Sequence, residues 1–200
     1  MNPKDRSVVP LVGDGGTAAI IEDVGEGSGY QDFAFGTDGS EYSALIWPSS
    51  GMRERYAADT SEEVIDKLGS IRSKNDMYMD GQKIFLFTLK TVPNTLKSFL
   101  EKNHLSIEDV DFFIFHQASK MIIDSITRKL KLPESKFNRI YENRGNSGGS
   151  TVGISLHHAI KDAKIKGNSK IVLSAFGVGL SWCHAILNFQ DKLPESSAID

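Results

Sequence analysis

DFFIFHQASKMII, Asp111 to Ile123, decides how this chain folds. The apolar and aromatic run VDFFIF reads as a short buried strand, because it carries no alternating polar positions and is bounded by polar residues. It ends at His116, and the residues after the histidine read as the first turn of a helix running through Leu130. The carboxyl end of a buried strand, just before a helix, is where open α/β sheets place their ligand crevice. His116 is therefore a candidate functional group; the alternative is a core histidine satisfied by a backbone carbonyl.

Upstream, the apolar residues Ile84, Phe85, Phe87, Leu89, Val92, Leu96, Phe99 and Leu100 recur at helical spacing, predicting a long half-buried helix from Gly81 to His104 with a kink at Pro93. Ser106 followed by Asp109 resembles a short capping signal before the strand. Nearer the start, SVVPLVGDG and TAAIIEDVG read as two strands of a hairpin, and YQDFAFGTDGSEYSALIWP as a second hairpin around TDG. The polar stretch from Ser49 to Asp76 reads as a surface connection. Downstream, the loop ENRGNSGGS leads into a helix TVGISLHHAIKDAKI, and the strands KIVLSAFG and WCHAILNF face each other across VGLS. The polar tail from Gln190 reads as fraying. Alternating helices and strands with added hairpins predict an α/β fold with a mixed sheet.

Bulk composition narrows the function classes. With 23 Lys and Arg against 26 Asp and Glu, and a net charge of -3, the chain reads as an ordinary globular protein with no feature suited to nucleic acid or a membrane surface. Its longest apolar runs fall short of the roughly 20 residues of a spanning helix, and no signal peptide is legible, so the expected address is the cytoplasm. The single cysteine, Cys183, can form neither an internal disulfide nor a thiolate cage. It reads as a small buried residue of the last strand. No metal site is expected. His157 and His158 are adjacent and cannot chelate as an i, i+4 pair, so they read as packing or surface residues. GDGG lacks the rest of a phosphate loop and reads as a turn; Gly39, Gly51, Arg53 and Arg55 read as solvated loop residues.

Two further segments are candidates for chemistry. In NRGNSGGST, Asn143 to Thr151, glycines and serines around Asn146 let the backbone approach a ligand, and the Asn146 amide could donate to a developing oxyanion. The alternative is a flexible connection with Ser150 as a helix N-cap. AFGVGLSW is a glycine-rich turn that is either a tight hairpin or a third part of the same site.

Taken in order, HQA after a strand, GN before a helix and FGVGLSW near the end resemble the C-terminal half of β-ketoacyl-acyl carrier protein synthase III, a thiolase-superfamily condensing enzyme. DRSVVPLVGDGGTAAII, MYMDGQKIF and LSIEDVDFFIFHQAS are similar to further segments of that family, and the resemblance spans nearly all of residues 5 to 189. It implies a thiolase-like α/β fold with a mixed five-stranded sheet covered by helices, one half of a two-fold repeated architecture. Residues 1–40 would then be the end of the N-terminal half, 41–80 a connection, 81–190 the C-terminal catalytic half and 191–200 a flexible tail. The implied reaction is the decarboxylative condensation of an acyl-CoA primer with malonyl-acyl carrier protein, with no cofactor beyond these thioester substrates. His116 and Asn146 match two members of the family's Cys-His-Asn triad and are expected to give two hydrogen bonds to the enolate oxygen. Gln117, Ser119, Lys120, Gly145, Phe176 and Gly177 are the expected substrate-binding residues. HQAS replaces the usual HQAN, Met121 stands where a basic residue often helps dock the carrier protein, and the GNSGGS loop has an extra glycine. The family's nucleophilic cysteine lies upstream of the DRS segment, and no residue here matches it. Expected partners are therefore a complementary N-terminal half or a homodimer mate; a non-catalytic partner subunit or a remnant of a condensing enzyme is the alternative.

Overall fold

The computed structural model describes residues 1–21, 23 and 29–189. Its main sheet is mixed and has four strands among the described residues, in the order β1 (Gly29–Thr37), β8 (Ser181–Asn188), β7 (Lys170–Gly177) and β6 (Phe112–Phe115). β6 and β7 are parallel, whereas β7–β8 and β8–β1 are antiparallel.

The four residues of β6 are all buried because each face of the strand meets a different helical layer. Phe113 and Phe115 enter a large cluster with α1 (Gly81–Lys102) and α2 (Lys120–Leu130), while Phe112 and Ile114 enter a smaller one with α4 (Ser150–Lys161). A strand buried on both sides has no polar face to present, which is why its sequence does not alternate.

α1 starts where Asp80 accepts a hydrogen bond from the Lys83 amide, and it buries Ile84, Thr88, Val92, Leu96, Phe99 and Leu100. The helix runs on through Pro93. Proline has no N–H to give the carbonyl four residues back, that of Leu89, and Lys129 of α2 donates to that oxygen at 3.0 Å instead. The other short elements are two ladders, β2 (Leu45–Ile46) with β5 (Tyr78–Met79) and β3 (Val64–Ile65) with β4 (Ile71–Arg72), and the single-turn helix α3 (Tyr141–Arg144).

Among the described residues, neither a fifth strand of the main sheet nor either hairpin expected near the start is present. Residues 8–11 make turns, with amides of Leu11 and Val12 bonded back to Val8, and Val12 joins the rest of the molecule by one parallel bridge to Asn146. Thr17 to Ile21 has no regular structure, and the remainder of that expected strand falls outside the described residues apart from Asp23. The TDG turn opens a 3-10 helix, Gly39–Ala44, because Asp38 pairs through both backbone groups with Leu180 and so extends the β1–β8 ladder. β1 thus finds a partner about 150 residues away rather than its neighbour. The expected helix after the asparagine loop ends at Lys161, four residues early. Residues 190–200, including the expected fraying tail, lie outside the described residues.

In DRS, Asp5 is 2% exposed, accepts from the amide and hydroxyl of Ser7, and lies 3.4 Å from Arg72. Burial pushes its carboxyl up, but these partners outweigh it and hold the group below its ordinary value. The motif anchors the first residues to β4.

Candidate active site

His116 sits one residue beyond β6, and its amide donates to Ser174 of β7 at 2.8 Å, so the ladder itself sets its position. Its Nδ1 lies 2.6 Å from the hydroxyl of Thr151, in the first turn of α4, and the ring meets Phe176 edge-on with centroids 5.3 Å apart. Burial pushes the imidazole pKa down to about 4, against a smaller upward pull from the Gly148 carbonyl. The ring is therefore neutral at pH 7.

Asn146 is placed by the chain crossing above it. Its amide donates to Leu11 at 2.8 Å and its carbonyl accepts from Gly13 at 2.9 Å. The approach demands glycine on both sides: a Cβ on Gly13 would lie 2.1 Å from the Arg144 oxygen, and one on Gly145 would lie 3.0 Å from the Gly13 nitrogen. The Gly148 amide donates to Asn146 Oδ1 at 3.0 Å, which fixes the amide and leaves its NH2 as the group with hydrogens to give. Gly148 thus serves both candidate groups: its N–H orients Asn146, and its carbonyl takes the Thr151 hydroxyl at 2.9 Å.

The other expected site residues divide. Phe176 is in contact with His116, and Gly177 follows it at the end of β7. Gly145 shapes the asparagine loop. Gln117 is fully buried, and its amide is spent on the backbone of Phe115, Asn138 and Ile140, which makes it a brace rather than a surface for substrate. Ser119 caps α2 by accepting from the Ile122 amide, and Lys120 forms an ion pair with Asp124 at 3.1 Å. Ser150 does not cap α4; Gly149 holds that position, and the Ser150 hydroxyl donates to Gly15 at 2.9 Å, tying the loop to the GDGG turn. Thr151 and Gly148 were not singled out from the sequence. Their signal was present, a hydroxyl in the first helical turn five residues after the asparagine, but such residues more often serve caps.

Cys183 corrects an expectation. It lies in the last strand as predicted, but on the exposed outer face of the sheet, opposite Phe35 and Ala175. Partial burial against that face pushes its thiol up, away from the thiolate a nucleophile needs. His157 is exposed on α4. Among the described residues no group of histidine, cysteine and carboxylate side chains could hold a metal, and no helix is long and apolar enough to cross a membrane.

With a histidine at a strand end, an oriented asparagine in the loop before α4 and a mixed sheet between helical layers, the chain has the thiolase-like class of α/β fold. Residues 100–189 match the family described as 3-oxoacyl-[acyl-carrier-protein (ACP)] synthase III C terminal. The chain is 32% identical over 186 residues to a β-ketoacyl-[acyl-carrier-protein] synthase III of Fusobacterium nucleatum, which covers 93% of this chain and 54% of the relative. It is also 32% identical over 192 residues to a putative 3-oxoacyl-[acyl-carrier-protein] synthase 3 of Campylobacter jejuni, covering 96% and 53%. A crystal structure of a 3-oxoacyl-(acyl-carrier-protein) synthase III superposes with a TM-score of 0.85 at 31% identity, covering 94% of this chain and 56% of that one. The chain spans about half the length of the curated relatives it matches, and the family segment matched by residues 100–189 is a C-terminal one.

Proposed function

We propose that this chain supplies the histidine–asparagine part of an acyltransferase that condenses an acyl-CoA primer with malonyl-acyl carrier protein. The observation that carries the reading is the orientation of Asn146: with Oδ1 held by the Gly148 amide, its NH2 is the preset donor for a thioester oxygen as negative charge develops there. His116, linked to the same Gly148 through Thr151, is a neutral group, so the site adds no competing acid where a carboxylate must leave as CO2. Phe176 packs edge-on against the ring.

A complementary polypeptide stretch supplies the nucleophilic thiolate and covers the outer face of β1 and β8. α4 packs against β6 and β7 on that face, with Leu187 of β8 at its margin. Tyr30, Phe33 and Phe35 stay 53%, 49% and 75% exposed on the edge strand β1, with Phe33 and Phe35 stacked at 5.8 Å. Apolar area of this kind on an edge strand calls for a covering partner. In the assembled enzyme, Asn146→Ala and His116→Ala should each slow malonyl decarboxylation by about 100- to 1,000-fold while sparing acyl transfer. Equal loss of both half-reactions would mean that the two residues hold the fold instead. His157→Ala is the control and should change neither.

A further inference from the structure

On its outer edge β6 stops pairing early. Phe113 makes one parallel bridge, to Phe137, and the next rung in that register would join Phe115 to the Asn138 carbonyl and the Ile140 amide. The Gln117 carboxamide stands in that gap. Its Nε2 donates to the Phe115 carbonyl at 3.0 Å and to the Asn138 carbonyl at 3.3 Å, and its Oε1 accepts from the Ile140 amide at 3.0 Å. A primary amide has the two hydrogens and the acceptor that this requires, and Gln117, Phe115 and Ile140 are all buried. Two hydrogen bonds and the width of an amide therefore separate the segments where a ladder would place a single hydrogen bond.

We infer that Gln117 is a positioning residue: its carboxamide wedges apart two segments that lie in register to pair, and so sets the spacing between His116 and Asn146. The two segments diverge from the wedge. One carries His116, between Phe115 and Gln117 themselves. The other enters α3 at once, where the Ile140 and Tyr141 carbonyls accept the amides of Arg144 at 3.0 Å and Gly145 at 2.9 Å, and Asn146 follows. Both are locked against sliding. The Gln117 backbone amide donates to the Thr151 hydroxyl at 3.2 Å, and Asn138 grips α4, giving Nδ2 to the Ser155 carbonyl at 2.9 Å and taking the Ser155 hydroxyl on Oδ1 at 2.5 Å. A side chain without the carboxamide lets the rung close, or leaves the buried Phe115 carbonyl and Ile140 amide without these partners. The inference rests on the reading above for its effect on the reaction, but the wedge is measurable with no substrate present, so either can fail alone.

The experiment has two readouts. In the full 200-residue chain, labelled with nitrogen-15, the two side-chain hydrogens of Gln117 are assigned by their loss in Gln117→Met. They should exchange with solvent far more slowly than those of the exposed Gln82, and together with the Ile140 amide. In the assembled enzyme, Gln117→Met, which keeps the length and removes the carboxamide, should slow malonyl decarboxylation by about 100-fold while acyl transfer keeps its rate, as a displaced donor requires. Asn138→Ala, which frees the far side of the wedge and touches neither Gln117 nor His116 in sequence, should show the same split between half-reactions. A Gln117 carboxamide that exchanges as fast as that of Gln82 would overturn the inference. So would a folded methionine variant that decarboxylates at the original rate, or one that loses both half-reactions equally, since Gln117 would then only hold the fold. Should the methionine variant not fold, the exchange rates and the Asn138→Ala enzyme decide. If Asn146→Ala itself spares decarboxylation, the reading above fails while the exchange rates still test the wedge.

Discussion

His116 and His184 are both held neutral by burial, each with its pKa pushed down to about 4, yet only one of them is shut inside the core. Thr95 donates to the Thr91 carbonyl at 2.8 Å, so it accepts from His184 Nε2 at 2.9 Å, and Ser174 donates to Nδ1 at 3.1 Å. His184 is fully buried with both nitrogens used, which makes it a core residue. Its depressed folded pKa sets the sign of a pH effect. Stability from the neutral ring is complete above the unfolded value near 6.5 and is lost as pH falls through 6.5 toward 4, by on the order of 3 kcal/mol. His184→Gln should therefore melt with a visibly shallower loss between pH 7 and pH 5 than the unmodified chain; identical slopes would show that this ring does not carry the effect. At this scale the sequence singled out His116 and Asn146, which the fold links through Gly148, because strand ends and glycine-rich loops have local signatures. It misassigned Gln117, since nothing in HQAS tells which side chain the backbone will claim, and it missed Thr151, whose partner lies 35 residues away.

Elements held together by local rules were legible, and those set by distant partners were not. α1, α2, β6, β7 and β8 fell where periodicity and apolar runs placed them, each with a cap or turn of its own. β1 was drawn as half of a local hairpin because its alternation is real, but alternation does not name a partner. The GDG turn failed as a strand end for a related reason. Its glycines answer to the asparagine loop, where Gly13 and Gly145 meet backbone to backbone. Gly145 has φ 63° and ψ -169°, a region open to glycine alone. Gly145→Ala should cost about 1–3 kcal/mol from backbone strain, and more as the added methyl displaces Gly13. Gly148, at φ 62° with open space around it, is the comparison: Gly148→Ala should cost only about 1–2 kcal/mol. Urea unfolding of the two variants checks the order, and a Gly148→Ala loss as large as that of Gly145→Ala would mean that the contact with Gly13 contributes nothing.

Among the described residues the main sheet carries α1 and α2 on one side and α4 over part of the other. In the segment Val8 to Val12, read from the sequence as a strand, Val8 is 1% exposed while Val9 and Leu11 are 40% and 39% exposed; a larger open patch is on β1, where Phe35 lies opposite the exposed Cys183 and stacks on Phe33. No sequence pattern separates an edge strand that faces solvent from one that faces another half, since both read as alternating. The fold class was nonetheless within reach, because five short segments in this order resemble a known family, and similar chains about twice as long match over nearly all of this one. The reading as half of a site accounts together for an oriented asparagine, a neutral histidine, a cysteine with a raised pKa and an uncovered face.

The most direct measurement mixes the purified chain with a complementary N-terminal half bearing the family's cysteine and follows condensation of labelled acetyl-CoA with malonyl-acyl carrier protein. The chain alone should form no product and take up no acyl group in an intact-mass spectrum, because its only thiol is Cys183. The mixture should form product, lose any binding of a hydrophobic dye to the β1 face, and fall by about 100- to 1,000-fold in rate when the chain carries Asn146→Ala. Product from the chain alone, a stoichiometric thioester on Cys183, or an Asn146→Ala mixture as active as the original would contradict the account.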